Sequence, residues 1–106
     1  MKILIAGPLQ MDVAKRVATR QGVPLALTRK EFELLEYFMR FPSQPVNKSV
    51  LMQAVWHNNV ATDSRLVDAH VNQLRAKLHD GNHIWIETVH GVSYRFNIPT
   101  NSLPKK

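Results

Sequence analysis

The sequence contains no cysteine, which excludes disulfide bonds, thiolate metal ligands and cysteine nucleophiles. A chain without cysteine is compatible with a reducing cytoplasm, where we expect this protein to act. No apolar run approaches the roughly 20 residues of a membrane-spanning helix, so we expect no membrane span. Acidic residues are also few: eight Asp and Glu stand against fourteen Lys and Arg, for a net charge of +6. This excess favours a polyanionic partner, either nucleic acid or an anionic membrane surface.

Patterns typical of catalysis and metal binding are missing as well. The five histidines show no H-E-x-x-H spacing, and no cysteine is available to complete a tetrahedral site. Neither a glycine-rich phosphate loop nor a Ser-His-Asp order stands out. We therefore expect no enzymatic activity, no cofactor and no metal site. A metal-dependent hydrolase is the weakest of the functions that we consider.

The 106 residues suffice for one compact domain. Residues 1–27 contain short runs rich in apolar and branched residues, separated by turn-forming pairs, which predict a small antiparallel sheet of three or four strands. Gln21-Gly22 is the better hairpin turn, because glycine accepts the positive φ that a two-residue turn requires. The predicted strands are Lys2–Ile5, Leu9–Val13, Arg16–Arg20 and Val23–Leu27.

The pattern changes to a helical period at Thr28. The segment Thr28-Arg29-Lys30-Glu31 has the form of a capping box, and Pro42 ends the predicted helix because it lacks a backbone donor. The helical stripe between them consists of Phe32, Leu34, Leu35, Phe38, Met39 and Phe41. We expect Glu31, Glu33 and Glu36 to lie on an acidic exposed face, which phosphate would repel.

A second helix is predicted to start within Pro45–Asn47, with Asn47 as its N-cap. Its expected buried residues are Val50, Leu51, Ala54 and Val55. We expect Trp56, like Trp85 further on, to belong to the core. Lys48, at the start of this helix, is a candidate phosphate contact together with the free backbone amides there.

A third helix is predicted over 63–79. Its expected buried stripe follows helical spacing and consists of Val67, Val71, Leu74 and Leu78. The opposite face carries Arg65, Ala69, Asn72 and Ala76, with Gln73 on its edge. Arg, Asn and Gln are side chains that can reach base edges in a DNA groove. From this segment alone, a solvated amphipathic helix is at least as well supported.

Asp68, on the same helix, resembles an acid catalyst only superficially. Asn72 and Arg75 lie one or two helical turns further on. We expect Asp68 to form an ion pair that orients Arg75.

The last third of the chain predicts a β-hairpin. Apolar and polar residues alternate in two runs, 84–89 and 92–96, which flank His90-Gly91. Gly91 can supply the left-handed residue of the turn between them. We interpret the chain as an α+β domain. Residues 1–27 form its N-terminal sheet, 28–98 its three helices and terminal hairpin, and 99–106 a polar tail.

Four separated motifs now carry a resemblance to a known family. They are LTRKEFELL at 27–35, VLMQAVW at 50–56, RLVDAHVNQLRAKL at 65–78 and ETVHGVSYRF at 87–96. Over about residues 5–98 the chain resembles the C-terminal DNA-binding effector domain of OmpR/PhoB-type response regulators. That family has a winged helix-turn-helix fold, in which the third helix enters the major groove and the hairpin, the wing, touches the minor groove or its phosphates.

The resemblance implies a set of sites and partners. The implied DNA contacts are Arg65, Ala69, Asn72, Gln73 and Arg75 on the third helix and Thr88, His90 and Tyr94 on the wing. The implied RNA polymerase loop consists of His57, Asn58, Asn59, Val60, Ala61 and Thr62. The implied partners are double-stranded DNA with repeated half-sites, RNA polymerase, and a second copy of the chain as a dimer or tandem pair, with no membrane.

Two departures from the family pattern stand out. Many members carry basic residues where this chain has Asn72 and Gln73, and amides favour adenine where Arg favours guanine or phosphate. His90 stands where Arg is common, and Ser93 where Gly is common. These departures keep a second hypothesis open, a winged-helix module that binds a protein and reads no bases. The receiver domain of a response regulator has no counterpart within these 106 residues, so we expect either an excised or a stand-alone effector domain.

Overall fold

A computed structural model describes residues 2–57, 63–79 and 83–99 of the chain. The predicted turn at 80–82 and most of the predicted polar tail lie outside these residues. Three helices follow four strands, with one short strand between the first two helices and a hairpin at the end. The elements are β1 (Ile3–Ala6), β2 (Leu9–Asp12), β3 (Val17–Arg20), β4 (Val23–Pro24), α1 (Arg29–Arg40), β5 (Pro45–Asn47), α2 (Lys48–Trp56), α3 (Ser64–Leu78), β6 (Ile86–Val89) and β7 (Ser93–Phe96).

The strands form two antiparallel sheets, in the orders β1-β2-β3-β4 and β5-β7-β6. The fold is thus the predicted α+β winged helix with an N-terminal sheet. The turn between β3 and β4 uses Gln21 at φ 52° and Gly22 at φ 82°. Positive φ at both central residues is the signature of the tight turn that matches the strand twist. β4 is shorter than the predicted run to Leu27.

The capping box of α1 is present. Thr28 Oγ1 accepts from the Glu31 amide at 3.2 Å, and Glu31 Oε1 accepts from the Thr28 amide at 2.9 Å. The predicted acidic exposed face is wrong, however. Glu31 is only 1% exposed, and Glu33 and Glu36 are half-buried in ion pairs with arginine or lysine. The reason is that cations pair with these carboxylates, from α1 itself and from the segments packed against it.

The start of α2 also differs from the prediction. Asn47 is its N-cap, with Oδ1 accepting from the Ser49 amide at 2.9 Å, but Pro45–Asn47 is a strand rather than helix. This strand, β5, pairs with β7 of the hairpin, Val46 lying opposite Tyr94. The buried residues of α2 are Leu51, Val55 and Trp56, whereas Val50 and Ala54 are exposed. Only a narrow stripe of this helix is buried, so the wider buried face that the sequence predicted is wrong.

α3 matches its prediction closely. Asp63 caps it by accepting from the Arg65 and Leu66 amides at 3.0 and 3.2 Å. The four residues of the predicted stripe are all 0% exposed: Val67, Val71, Leu74 and Leu78. They join one core with the apolar side of α1, the inner face of β1–β3, and the buried aromatic residues of the hairpin, including Trp85.

A partly buried ion pair ties α3 to α1, with Glu31 buried and Lys77 about one-third exposed. Lys77 Nζ lies 2.6 Å from Glu31 Oε1 and 2.8 Å from the carbonyl oxygen of Ala26. Burial acts to raise the pKa of Glu31, but the hydrogen bonds and charge of Lys77 and the Thr28 amide outweigh it. The pKa of Glu31 is therefore below its ordinary value of 4.5. Its stabilising contribution is present above that value and is lost as the pH falls through the lowered pKa.

Replacing Lys77 with methionine keeps the apolar stem but leaves Glu31 buried without its cation. We expect Lys77→Met to lower the free energy of unfolding by about 1–3 kcal/mol at neutral pH. We expect a smaller loss at an acid pH of about 3.5 than at neutral pH, because protonation of Glu31 removes its need for the cation. Urea unfolding at both pH values measures the difference. Lys15→Met, on an exposed turn, is the matched control, and an equal loss at both pH values would contradict the assignment.

Candidate nucleic-acid interface

One face of α3 is exposed along its length. Burial of the Val67–Leu78 stripe turns the opposite side of the helix to solvent, where it presents side chains of mixed size. The exposed residues are Arg65, Ala69, Asn72, Gln73 and Ala76. The small residues leave room for a partner to approach the helix closely, and the longer polar ones can extend beyond them. An α-helix with such a face fits the width of a DNA major groove.

Arg65 stands at the N-terminal end of this face, with its side chain 90% exposed. Its only ion pair among the described residues is with the cap residue Asp63, Nη2 to Oδ2 at 3.1 Å. Because both partners are exposed, the pair adds little stability and leaves the guanidinium available. The hydrogen bond from Arg65 is the main reason that the pKa of Asp63 is below its ordinary range.

The side chain of Arg75 extends from α3 to the wing and does not lie on the exposed face of the helix. Its Nη2 donates to Thr88 Oγ1 at 3.2 Å, and its guanidinium carbon lies 5.5 Å from the ring centre of Tyr94. Its Nε is buried and has no hydrogen-bond partner within the described part of the chain. The structure thus brings three of the predicted site residues together: Arg75, Thr88 and Tyr94.

Tyr94 is only 3% exposed, and its hydroxyl donates to Asp68 Oδ1. Lys48 Nζ approaches the same carboxylate oxygen at 2.9 Å and lies 5.6 Å from the Tyr94 ring centre. Asp68 therefore hydrogen-bonds Tyr94 and Lys48, so the predicted pairing of Asp68 with Arg75 is wrong. Arg75 is turned toward β6, where Thr88 supplies its acceptor.

The acid–base properties of this network follow from its contacts. The hydrogen bond from Tyr94, helped by Lys48, holds the pKa of Asp68 below its ordinary value. Burial, and then the hydrogen bond to Asp68, raises the pKa of Tyr94 to about 12. At neutral pH, Asp68 is thus an anion and Tyr94 a neutral donor.

The wing tip is formed by His90, Gly91 and Val92, all exposed. His90 has φ 55° and Gly91 φ 74°, so two consecutive left-handed residues turn the chain between β6 and β7. His90 therefore lies exposed at the end of the hairpin. Thr88 is exposed on β6, with its hydroxyl accepting from Arg75.

Only one residue of the predicted polymerase loop belongs to the described chain. His57 is the C-cap of α2, exposed and left-handed at φ 57°. Asn58, Asn59, Val60, Ala61 and Thr62 lie outside the described residues. Across 2–57, 63–79 and 83–99, no His, Asp or Glu residues group as a metal ion would require. Within the same ranges, every helix is too short or too polar to cross a bilayer.

The burial of Tyr94 had a signal in the sequence that our prediction did not use. Tyr94 and Phe96 are two residues apart on β7, so they point to the same face of the hairpin. Phe96 is completely buried, and Tyr94 on the same face is buried beside it. The partnership with Asp68 and Lys48 has no such signal, because three distant segments meet there.

Comparison with known proteins assigns most of the chain to one family. Residues 22–96 match the family model described as "Transcriptional regulatory protein, C terminal". The sensory transduction protein RegX3 of Mycolicibacterium smegmatis is 37% identical over 95 residues, covering 88% of this chain and 42% of RegX3. The transcriptional regulatory protein CusR of Escherichia coli K12 is 37% identical over 92 residues, covering 86% of this chain and 40% of CusR. The chain thus spans about two-fifths of the length of these relatives.

Solved structures agree with this assignment. The DNA-binding domain of CpxR from E. coli is 27% identical with a TM-score of 0.80, covering 93% of this chain and 100% of that domain. The Thermotoga maritima response regulator DrrB, an OmpR/PhoB homologue, is 25% identical with a TM-score of 0.79, covering 90% of this chain and 44% of DrrB. The Klebsiella pneumoniae RstA DNA-binding domain, solved with the RstA box, shares the fold at 24% identity and a TM-score of 0.80, covering 93% of this chain and 100% of that domain.

The Tyr94–Asp68 hydrogen bond can be tested by titration. Tyr94→Phe removes the donor that contributes most to the lowered pKa of Asp68, so we expect that pKa to rise. Carbon-detected NMR of the Asp68 carboxyl group measures the change. Because Asp68 stabilises the fold above its ordinary pKa, the variant should also lose less stability than the parent as the pH falls. Tyr37→Phe alters the only other tyrosine and should leave the Asp68 titration unchanged, and no shift in Tyr94→Phe would refute the contact.

Proposed function

Because the chain belongs to the family of C-terminal transcriptional regulatory domains found in OmpR/PhoB-type response regulators, we propose that it binds double-stranded DNA sequence-specifically. The family is one of DNA-binding transcription regulators and not of enzymes. In the proposed complex, α3 occupies the major groove and the wing lies along the adjacent minor groove or its phosphates. The effect is regulation of transcription.

The exposed face of α3 carries this proposal. Within the described residues, the amides of Asn72 and Gln73 make no hydrogen bond to the protein, so they are available to a partner. An Asn or Gln amide can donate to N7 of adenine and accept from the N6 amino group of the same base, a two-bond arrangement specific for adenine. Ala69 lies beside them and suits contact with a thymine methyl group. The combination favours A·T pairs under the middle of the helix.

Exposed side chains beside this face support the same function. Arg65 is free to reach a phosphate or a base at one end, and His90 at the wing tip is the exposed group available to the neighbouring groove. Lys48 and Tyr94 were also predicted to contact DNA. Both side chains are engaged with Asp68, and we propose that they support the interface from beneath it.

The finer parts of the proposal concern assembly. We propose that two copies bind repeated half-sites as a dimer or tandem pair, and that the segment 57–62 faces RNA polymerase. These steps extend the resemblance to response regulators. They concern a whole response regulator, whereas this chain matches only about two-fifths of the length of its relatives.

Loss of either amide should weaken binding to the preferred site and spare non-specific DNA. Once random duplexes have been selected for binding and sequenced, we expect Asn72→Ala or Gln73→Ala to cost about 1–3 kcal/mol on the selected site. The loss on scrambled duplex should be small. Fluorescence anisotropy measures both affinities, and Gln10→Ala, an exposed glutamine of β2, is the matched control.

Equal losses on both duplexes would show that the amides do not read bases. A wild-type protein with no preference over competitor DNA would instead favour the alternative, a winged-helix module that binds a protein.

Phosphate contacts predict a strong dependence on salt. For a single domain of this size we expect log K to fall linearly with log salt at a slope of about −4 to −7, since each neutralised phosphate contributes about −0.9. Titrations of the selected duplex at increasing potassium chloride give the slope. A slope near zero would be inconsistent with DNA as the polyanionic partner.

A further inference from the structure

Arg75 contacts both members of a single cross-strand pair of the wing. Thr88 and Tyr94 lie directly opposite each other on β6 and β7. Arg75 Nη2 donates to the hydroxyl of Thr88, and its guanidinium lies over the ring of Tyr94. One side chain of α3 therefore spans both strands of the hairpin at the same level.

Part of the Arg75 guanidinium is already used within the protein, which limits how it can bind a DNA partner. A two-bond grip on guanine or phosphate uses two adjacent donors of the fork. The edge that contains Nε is closed because Nε is buried, and one N–H group of Nη2 is used by Thr88, so only the Nη1–Nη2 edge keeps free donors. Arg65, in contrast, is almost fully exposed. The two arginines of α3 therefore have different surroundings and should have different roles.

The platform beneath Arg75 is itself fixed. The hydroxyl of Tyr94 is held by Asp68 of α3, and Asp68 is held in turn by Lys48 at the start of α2. Tyr94 also pairs through its strand with Val46 of β5. A ring held from both helices and from the sheet gives Arg75 a rigid surface against which to fix the wing.

We propose that Arg75 is a positioning residue that locks the wing to α3 and so sets the distance between the major-groove face and the wing tip. This inference rests on the proposed function, because it assumes that both parts contact one duplex. Thr88 is the wing's half of the lock. Neither residue needs to touch the DNA for the complex to depend on it.

The lock can be tested without DNA. Thr88→Val removes the hydroxyl but keeps the branched shape that a strand favours, and Thr88→Ser restores the hydroxyl. We expect Thr88→Val and Arg75→Lys to shift the same amide resonances, at the wing tip 90–92, and to lower the order parameters there. Thr88→Ser should stay close to the parent. Thr19→Val, the same change on β3, is the matched control.

The consequence for binding is tested by a double-mutant cycle. On the selected duplex we expect Thr88→Val and Arg75→Lys each to weaken binding about tenfold, and the double variant also about tenfold, because the two residues act through one contact. A hydroxyl-radical footprint should lose protection at the wing's groove and keep it at the groove bound by α3. Thr88→Ser should recover most of the affinity.

Two results would overturn the lock. One is an unchanged wing in DNA-free Thr88→Val, and the other is a pair of losses that add to about a hundredfold. Failure of the proposed function looks different. In that case the wild-type protein would not distinguish the selected duplex from competitor DNA, while the NMR comparison would still decide whether Arg75 and Thr88 hold the wing.

Discussion

The rest of the structure depends on the burial of one side of α3. Its four apolar residues are completely excluded from solvent, and at about 100° per residue their packing leaves the helix no freedom to rotate about its axis. The direction of Asn72 and Gln73 is therefore set by the core and not by any polar contact of their own. The apolar face of α3 is packed in the core, so substitutions on the opposite face can change what the helix binds without changing the fold.

The N-terminal sheet contributes to the same constraint at the C-terminal end of α3. Arg20 of β3 donates to the carbonyl oxygens of Leu78 and His79, which end α3 without helical partners. Lys77 reaches Glu31 and Ala26 from the same end of the helix. A charged residue from the first sheet and one from α3 thus hold the helix along its axis, while its apolar stripe fixes its rotation.

Much of this arrangement could be predicted from local sequence, and the failures share a cause. The capping box at Thr28 and the stripe from Val67 to Leu78 depend on residues within one or two helical turns, so their spacing is sufficient. β5 is too short to show an alternating pattern, and it exists because β7 pairs with it. The Lys77–Glu31 pair joins residues 46 positions apart, and the Asp68 network joins three segments. Contacts of that kind depend on the completed fold, which a local pattern does not contain.

The wing differs from a free hairpin because its second strand is bonded on both edges. β7 lies between β6 and β5, and β5 leads directly into the N-cap of α2. A further bond joins the Lys48 amide to the carbonyl oxygen of Val92 at the wing tip. An element already ordered before it meets a partner loses little conformational entropy on association, so more of the contact energy remains as affinity. The three residues Pro45–Asn47, which lie in the connection between α1 and α2, thereby make the wing a preorganised half of the binding surface.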